Sequence, residues 1–133
     1  MADSKGVTTV TARRKLCMAH AGDITLPVIT KMAFGNGGVD ETGQPIATTG
    51  NEIGLYNELL VKDVEKHVYV EEDQTTCRYT ATLEVGELDG EMISEMGLYD
   101  ADGDLVSYRT FLPKGKDHDI RQGYDMDEAF LGR

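Results

Sequence analysis

From Cys77 to Val85 the chain alternates without a break: Cys77, Tyr79, Ala81, Leu83 and Val85 are apolar, and Arg78, Thr80, Thr82 and Glu84 between them are polar. Strand side chains point to opposite faces in turn, so this pattern builds a half-buried strand. On a helix the same residues would be spread around the whole circumference. Such a strand needs hydrogen-bonded neighbours and an apolar layer against its inner face. The chain is therefore committed to a sheet.

The neighbours are signalled downstream. Asp89-Gly90 and Asp102-Gly103 are each flanked by β-prone residues, and Asp-Gly suits the type I′ hairpin turn because both of its central residues take positive φ. With Asp102 and Gly103 as a two-residue loop, counting outward pairs Tyr99 with Val106. It also sets Tyr108 opposite Gly97, where an aromatic ring can cover bare glycine backbone. A meander of antiparallel strands is expected.

Upstream, Ala12, Leu16 and Ala19 recur at helical spacing between Thr9 and Ala21, with threonines before them to cap and Gly22 after them to close. Pro27 blocks continuation, and Val28 to Phe34 reads as a strand ended by Gly35, Asn36, Gly37 and Gly38. Asp40 to Asn51 has turn residues and no period, which predicts a long exposed loop. Between Leu55 and Val70 two strands are favoured, although Asn57 to Val64 also fits a short helix. Beyond Leu112 and Pro113 the chain is polar and acidic, with only Ile120, Tyr124, Met126, Phe130 and Leu131 able to bury anything. That stretch is expected to dock on a neighbour or to stay mobile.

The expected architecture is α+β and β-rich: one N-terminal helix packed on an antiparallel meander sheet, with a long loop and an acidic C-terminal tail. At 133 residues the length fits one domain over 1–133, with a core at about 9–112 and a tail at 113–133. Fifteen glycines, no Trp and 7% aromatic residues make for a loop-rich body with a modest core, so that contacts between copies are expected to add stability.

The formal net charge of −11 opposes phosphate backbones and anionic lipid head groups, which argues against nucleic-acid and membrane-surface partners and in favour of proteins. Basic Lys5, Arg13, Arg14 and Lys15 lie near the start, whereas Asp117, Asp119, Asp125, Asp127 and Glu128 crowd the end. No secretory segment or long apolar span is present in the sequence, so synthesis in the cytoplasm with free, buried thiols at Cys17 and Cys77 is expected; their spacing leaves a disulfide open.

Chemistry-bearing patterns are sparse. Asp100, Asp102 and Asp104 match positions one, three and five of a calcium loop, but Leu105 stands where that loop needs glycine and Phe111 where it needs glutamate. A plain hairpin turn is the simpler reading. Gly35-Asn36-Gly37-Gly38 resembles a phosphate cradle without its spacing or a following basic residue. His20, His67 and His118 form no ligand pair, and Ser4, Ser94 and Ser107 lie in no nucleophile context. No catalytic residue, cofactor or metal site is assigned.

The order of the segments adds what their chemistry does not. Thr11 to Lys15, Ala33-Phe34-Gly35-Asn36-Gly37, Leu55-x-Asn57-Glu58-Leu59 and the hairpin from Glu95-Met-Gly97-Leu98-Tyr99-Asp100 to Asp102-Gly103-Asp104-Leu105 follow one another along Thr9 to Leu112. Together they resemble the N-terminal, baseplate-attachment domain of the phage tail-collar fibre protein family. The resemblance implies a non-enzymatic structural protein at the root of a fibre, in the tail of a virion or of a phage-derived bacteriocin made in a bacterial host. It also implies a baseplate wedge protein and a tail-fibre protein as partners, and a homo-oligomer, with a trimer favoured. Similar proteins continue into a repetitive shaft, whereas this sequence stops at Arg133. Either a stand-alone adaptor, or a domain whose shaft is missing from this sequence, is expected.

In an adaptor, the features expected to make protein contacts are Arg13 and Arg14 on the helix, Asp40, Glu41 and Gln44 in the long loop, and Tyr124, Met126 and Phe130 in the tail. The alternative is a free-standing module that binds a carbohydrate or cell-surface ligand through the loop, with calcium at Asp100 to Asp104. Against it stand the absent Trp and the scarcity of aromatic residues, since sugar sites offer a flat apolar ring. A small hydrolase is a third reading, but nothing in the sequence singles out a pair of carboxylates for it.

Overall fold

The computed structural model describes residues 5–130, so Ser4 and Leu131 lie outside the described residues. The elements run β1 (Lys5–Thr8), α1 (Val10–His20), β2 (Ile29–Gly35), β3 (Glu58–Asp63), β4 (Lys66–Tyr69), β5 (Thr76–Leu83), β6 (Met92–Asp100), β7 (Leu105–Gly115) and β8 (Gln122–Ala129). The protein is α+β and β-rich with one helix and antiparallel pairing throughout, as the alternation and the turn residues require. The strands divide between two sheets, ordered β1-β7-β6-β2-β3 and β4-β5-β8.

The two sheets share one core. Met32 and Phe34 of β2, Met96 and Leu98 of β6 and Phe111 of β7 pack against Ala81 and Leu83 of β5 and Tyr124 and Met126 of β8. The Phe34 and Tyr124 rings meet edge to face at 5.1 Å. The alternation in β5 is read correctly at Ala81 and Leu83, which are buried, and fails at Val85, which follows the strand and is exposed.

β8 overturns the expected tail. It pairs with β5 from Thr76↔Ala129 to Leu83↔Gln122, so the stretch assigned to a docking or mobile tail supplies a third of the second sheet. The boundary placed after Leu112 falls inside β7, which continues through Pro113 to Gly115. Sparse apolar residues concealed the strand, because Tyr124 and Met126 are the only two on its inner face that reach the core.

The two Asp-Gly pairs fare differently. In the β6–β7 hairpin, Gly97 faces Tyr108 and Leu98 faces Ser107 as expected, but a bulge follows and Tyr99 pairs with Leu105, not Val106. Gly103 NH donates to the Asp100 carbonyl, Asp100 NH to the Asp104 carbonyl, and only Gly103 takes positive φ, at 87°. This is a type I turn closed by a left-handed glycine, which spans three residues where type I′ spans two. Asp89-Gly90 joins no neighbouring strands at all: it lies in the crossing from β5 in one sheet to β6 in the other. Buried Lys116 holds that crossing, its ammonium donating to the carbonyls of Glu84 and Asp117.

α1 begins where the sequence places it. Thr9 Oγ1 accepts from Ala12 NH at 3.1 Å and donates to the Leu105 carbonyl at 2.6 Å, which caps the helix and fastens it to β7 in one residue. Gly22, at φ 86°, closes the other end. Only Ala12 of the helix is buried. Cys17 is exposed and Cys77 half-buried, and both are free, so the expectation of two buried thiols fails at Cys17.

Candidate functional site

The outer face of the five-stranded sheet carries a buried carboxylate. Glu95 of β6 accepts from Gly37 NH, Tyr56 NH and Asn57 NH, each at 2.8 Å, and from the Tyr108 hydroxyl at 2.6 Å. Its side chain is fully buried, and these four donors replace the water it has lost. Burial and the neighbouring carboxylate push Tyr108 far above the ordinary phenol range, which keeps it the donor of the pair. The glycine-rich turn does cradle an anion, but the anion is the chain's own. A Cβ on Gly37 would lie 2.7 Å from Tyr56 Cβ and 2.9 Å from Glu95 Oε2, so the glycines are there for the carboxylate to fit.

A second polar cluster closes the opposite end of β6. Lys15 Nζ of α1 lies 2.8 Å from Asp100 Oδ2, 3.1 Å from Asp102 Oδ2 and 2.7 Å from Asp104 Oδ2. Asp100 Oδ1 meanwhile accepts from the NH groups of Asp102 and Asp104, which shapes the hairpin loop. Burial opposes the charge on Lys15, but its bonds to Asp100, Asp104 and Asp102 outweigh it and raise the ammonium above its ordinary range. The three carboxylates that resemble part of a calcium loop are thus gathered around a lysine.

The long loop is ordered by its own carboxylates. Asp40 Oδ1 accepts from Thr42 NH, Thr42 Oγ1 and Gln44 NH, and the Thr42 hydroxyl leads the hydrogen bonds that hold its carboxyl below the usual range. Glu52 accepts from Thr49 NH and Gly50 NH, and although burial acts the other way its carboxyl is lowered too.

Of the residues expected to contact partners, Arg13, Arg14, Glu41, Gln44 and Asp40 are exposed, although the carboxylate of Asp40 is occupied by its own turn. Arg13 lies beside Gly50 at the far end of the long loop, whose carbonyl accepts from Val10 NH. Tyr124 and Met126, at 8% and 2% exposure, belong to the core and are withdrawn from the interface. Phe130, at 48%, is the one residue of that trio left at the surface.

Phe130 helps to line a cleft of about 360 Å³. Leu16 of α1 with Leu26, Val28 and Ile29 forms one wall, and β4, β5 and β8 form the other with Tyr69, Tyr79 and Glu128. The rings of His67 and Tyr69, and those of His67 and Tyr79, lie 6.0 Å apart, so the aromatic wall is continuous. Burial against this lining pushes the Glu128 carboxyl above its ordinary range. Sequence reasoning missed Glu95, Lys15 and Glu128 as structural or site residues. A signal existed for two of them: Glu95 interrupts an apolar run, and Glu128 shares strand parity with Tyr124 and Met126.

Comparison of the chain with protein-family models, with curated proteins and with solved structures finds no match to any of them.

Proposed function

We propose that the chain is a non-enzymatic structural component of a phage or phage-like contractile tail, where it attaches a tail fibre to the baseplate. The observation that carries this reading is spatial. The four segments whose order resembles the tail-collar family lie far apart in sequence and meet in the fold. Glu95 of the hairpin segment binds Gly37 and Asn57 of two others, Tyr99 donates to Glu58 at 2.7 Å, and Lys15 of the first segment binds Asp100, Asp102 and Asp104. That these segments hold one another in place supports reading them as one anchoring unit, which is what a fibre root needs.

The same contacts disfavour the alternative, a carbohydrate-binding module assisted by calcium. Calcium at Asp100, Asp102 and Asp104 would have to displace an ammonium that already balances part of their charge. The direct test is to produce tail particles without this chain and image them. Tails that assemble but lack fibres are the expected result, and normally fibred tails would overturn the reading.

A further inference from the structure

We propose that the cleft between α1 and the β4-β5-β8 sheet is the docking site for an apolar segment of a partner protein that carries one lysine or arginine among its apolar residues. The proposal stands on the cleft itself and does not depend on the fibre reading.

Three features of the cleft argue for this occupant. Its lining is mainly apolar, with Gln74, Thr75 and His67 among the polar residues, and part of the apolar surface is open: Leu26, Val28, Tyr69 and Phe130 are exposed. Among the described residues that line it is one glutamate, Glu128, with no cation beside it. Glu128 makes no side-chain hydrogen bond or ion pair among the described residues, and its neighbour across the sheet is Cys77. Lys15 also lines the cleft, but its ammonium is committed to Asp100, Asp102 and Asp104.

The chemistry that completes such a site is a cation on an apolar carrier. An ammonium or guanidinium beside Glu128 would gain its carboxylate and the faces of Tyr69 and Tyr79 together, both strengthened where water is excluded. Apolar neighbours on either side of that cation would cover Leu26, Val28 and Phe130. A purely apolar segment would bury Glu128 without a partner, and an acidic one would add repulsion. The net charge of −11 further favours the approach of a basic segment over an acidic one.

The test uses the full chain and a blocked pentapeptide with lysine at its centre and leucine or valine elsewhere, with matched peptides carrying glutamine or glutamate at the centre. Titrations followed by amide chemical shifts are run at about pH 8, well above the ordinary glutamate range, and about 0.15 M salt to screen loose attraction. Saturable binding of the lysine peptide is expected, with shifts centred on Leu16, Val28, Tyr79 and Glu128. Glu128→Gln should weaken it by about tenfold or more, and Val28→Asp, at an exposed position, should do the same without unfolding the chain. The glutamine peptide should bind both proteins weakly. Absence of saturable binding, equal binding of the glutamine peptide, shifts centred elsewhere, or indifference to Glu128→Gln would each overturn the proposal. Hexylammonium that bound as tightly as the peptide would also overturn it, by showing a site for a small cation and not for a segment.

Discussion

Glu95 and Glu128 are both strand glutamates withdrawn from full solvent exposure, and their surroundings give them opposite roles. Glu95 is buried with four donors, and Glu128 is partly buried with none among the described residues. Glu95→Gln would turn an amide NH2 toward groups that are themselves donors, and should cost about 2–4 kcal/mol, read as a lower urea midpoint at unchanged slope. Glu128→Gln should do the reverse. A carboxyl whose folded value is raised binds more protons in the folded state, so its ionisation removes stability as pH rises through the ordinary glutamate range and above. The variant should therefore melt higher than the wild type at neutral pH, with the gap closing as the pH falls below that range. A wild-type advantage at neutral pH would refute this. Asp40 and Glu52 have the opposite sign: their lowered values contribute stability that is present above the ordinary carboxylate range and lost in acid, so the long loop should loosen first on acidification.

β8 decides the integrity of the second sheet. Without it β5 would keep β4 alone as a neighbour, and the shared core would lose Tyr124 and Met126. A chain cut after Gly115 should show no cooperative thermal transition; a sharp melt near that of the intact chain would show the core to be complete without β8. The β6–β7 turn offers a milder test. Gly103 sits at φ 87° with nothing within 4 Å of where a Cβ would lie, so Gly103→Ala should cost only the backbone conformation, about 1 kcal/mol. A much larger loss would mean that Lys15 and the three aspartates depend on that turn geometry.

For the molecule as a whole, the fibre reading expects self-association, and the lysine among Asp100, Asp102 and Asp104 expects indifference to calcium. Light scattering on the purified protein should give a trimer whose mass is the same with and without the ion. A monomer whose mass or melting point responds to calcium would favour the free-standing binding module instead. An unresponsive monomer would place assembly on the baseplate or on a fibre shaft.

What the sequence determined by itself is local. The alternation of Cys77 to Leu83, the cap at Thr9, the glycine stop at Gly22 and the pairing of Gly97 with Tyr108 all follow from backbone geometry within a few residues or across one turn. The tertiary structure decided everything that joins distant segments. It divided the strands between two sheets, because Val64 and Glu65 carry the chain from Thr30 in one to Thr80 in the other, and no local pattern marks such a step. It also turned an acidic, weakly apolar tail into β8, since a strand with one wet face needs only Tyr124 and Met126 to be held once β5 offers an edge. The site residues were hidden for the same reason. A glutamate's neighbours, whether four donors at Glu95 or an apolar cleft at Glu128, come from parts of the chain that meet only when it folds.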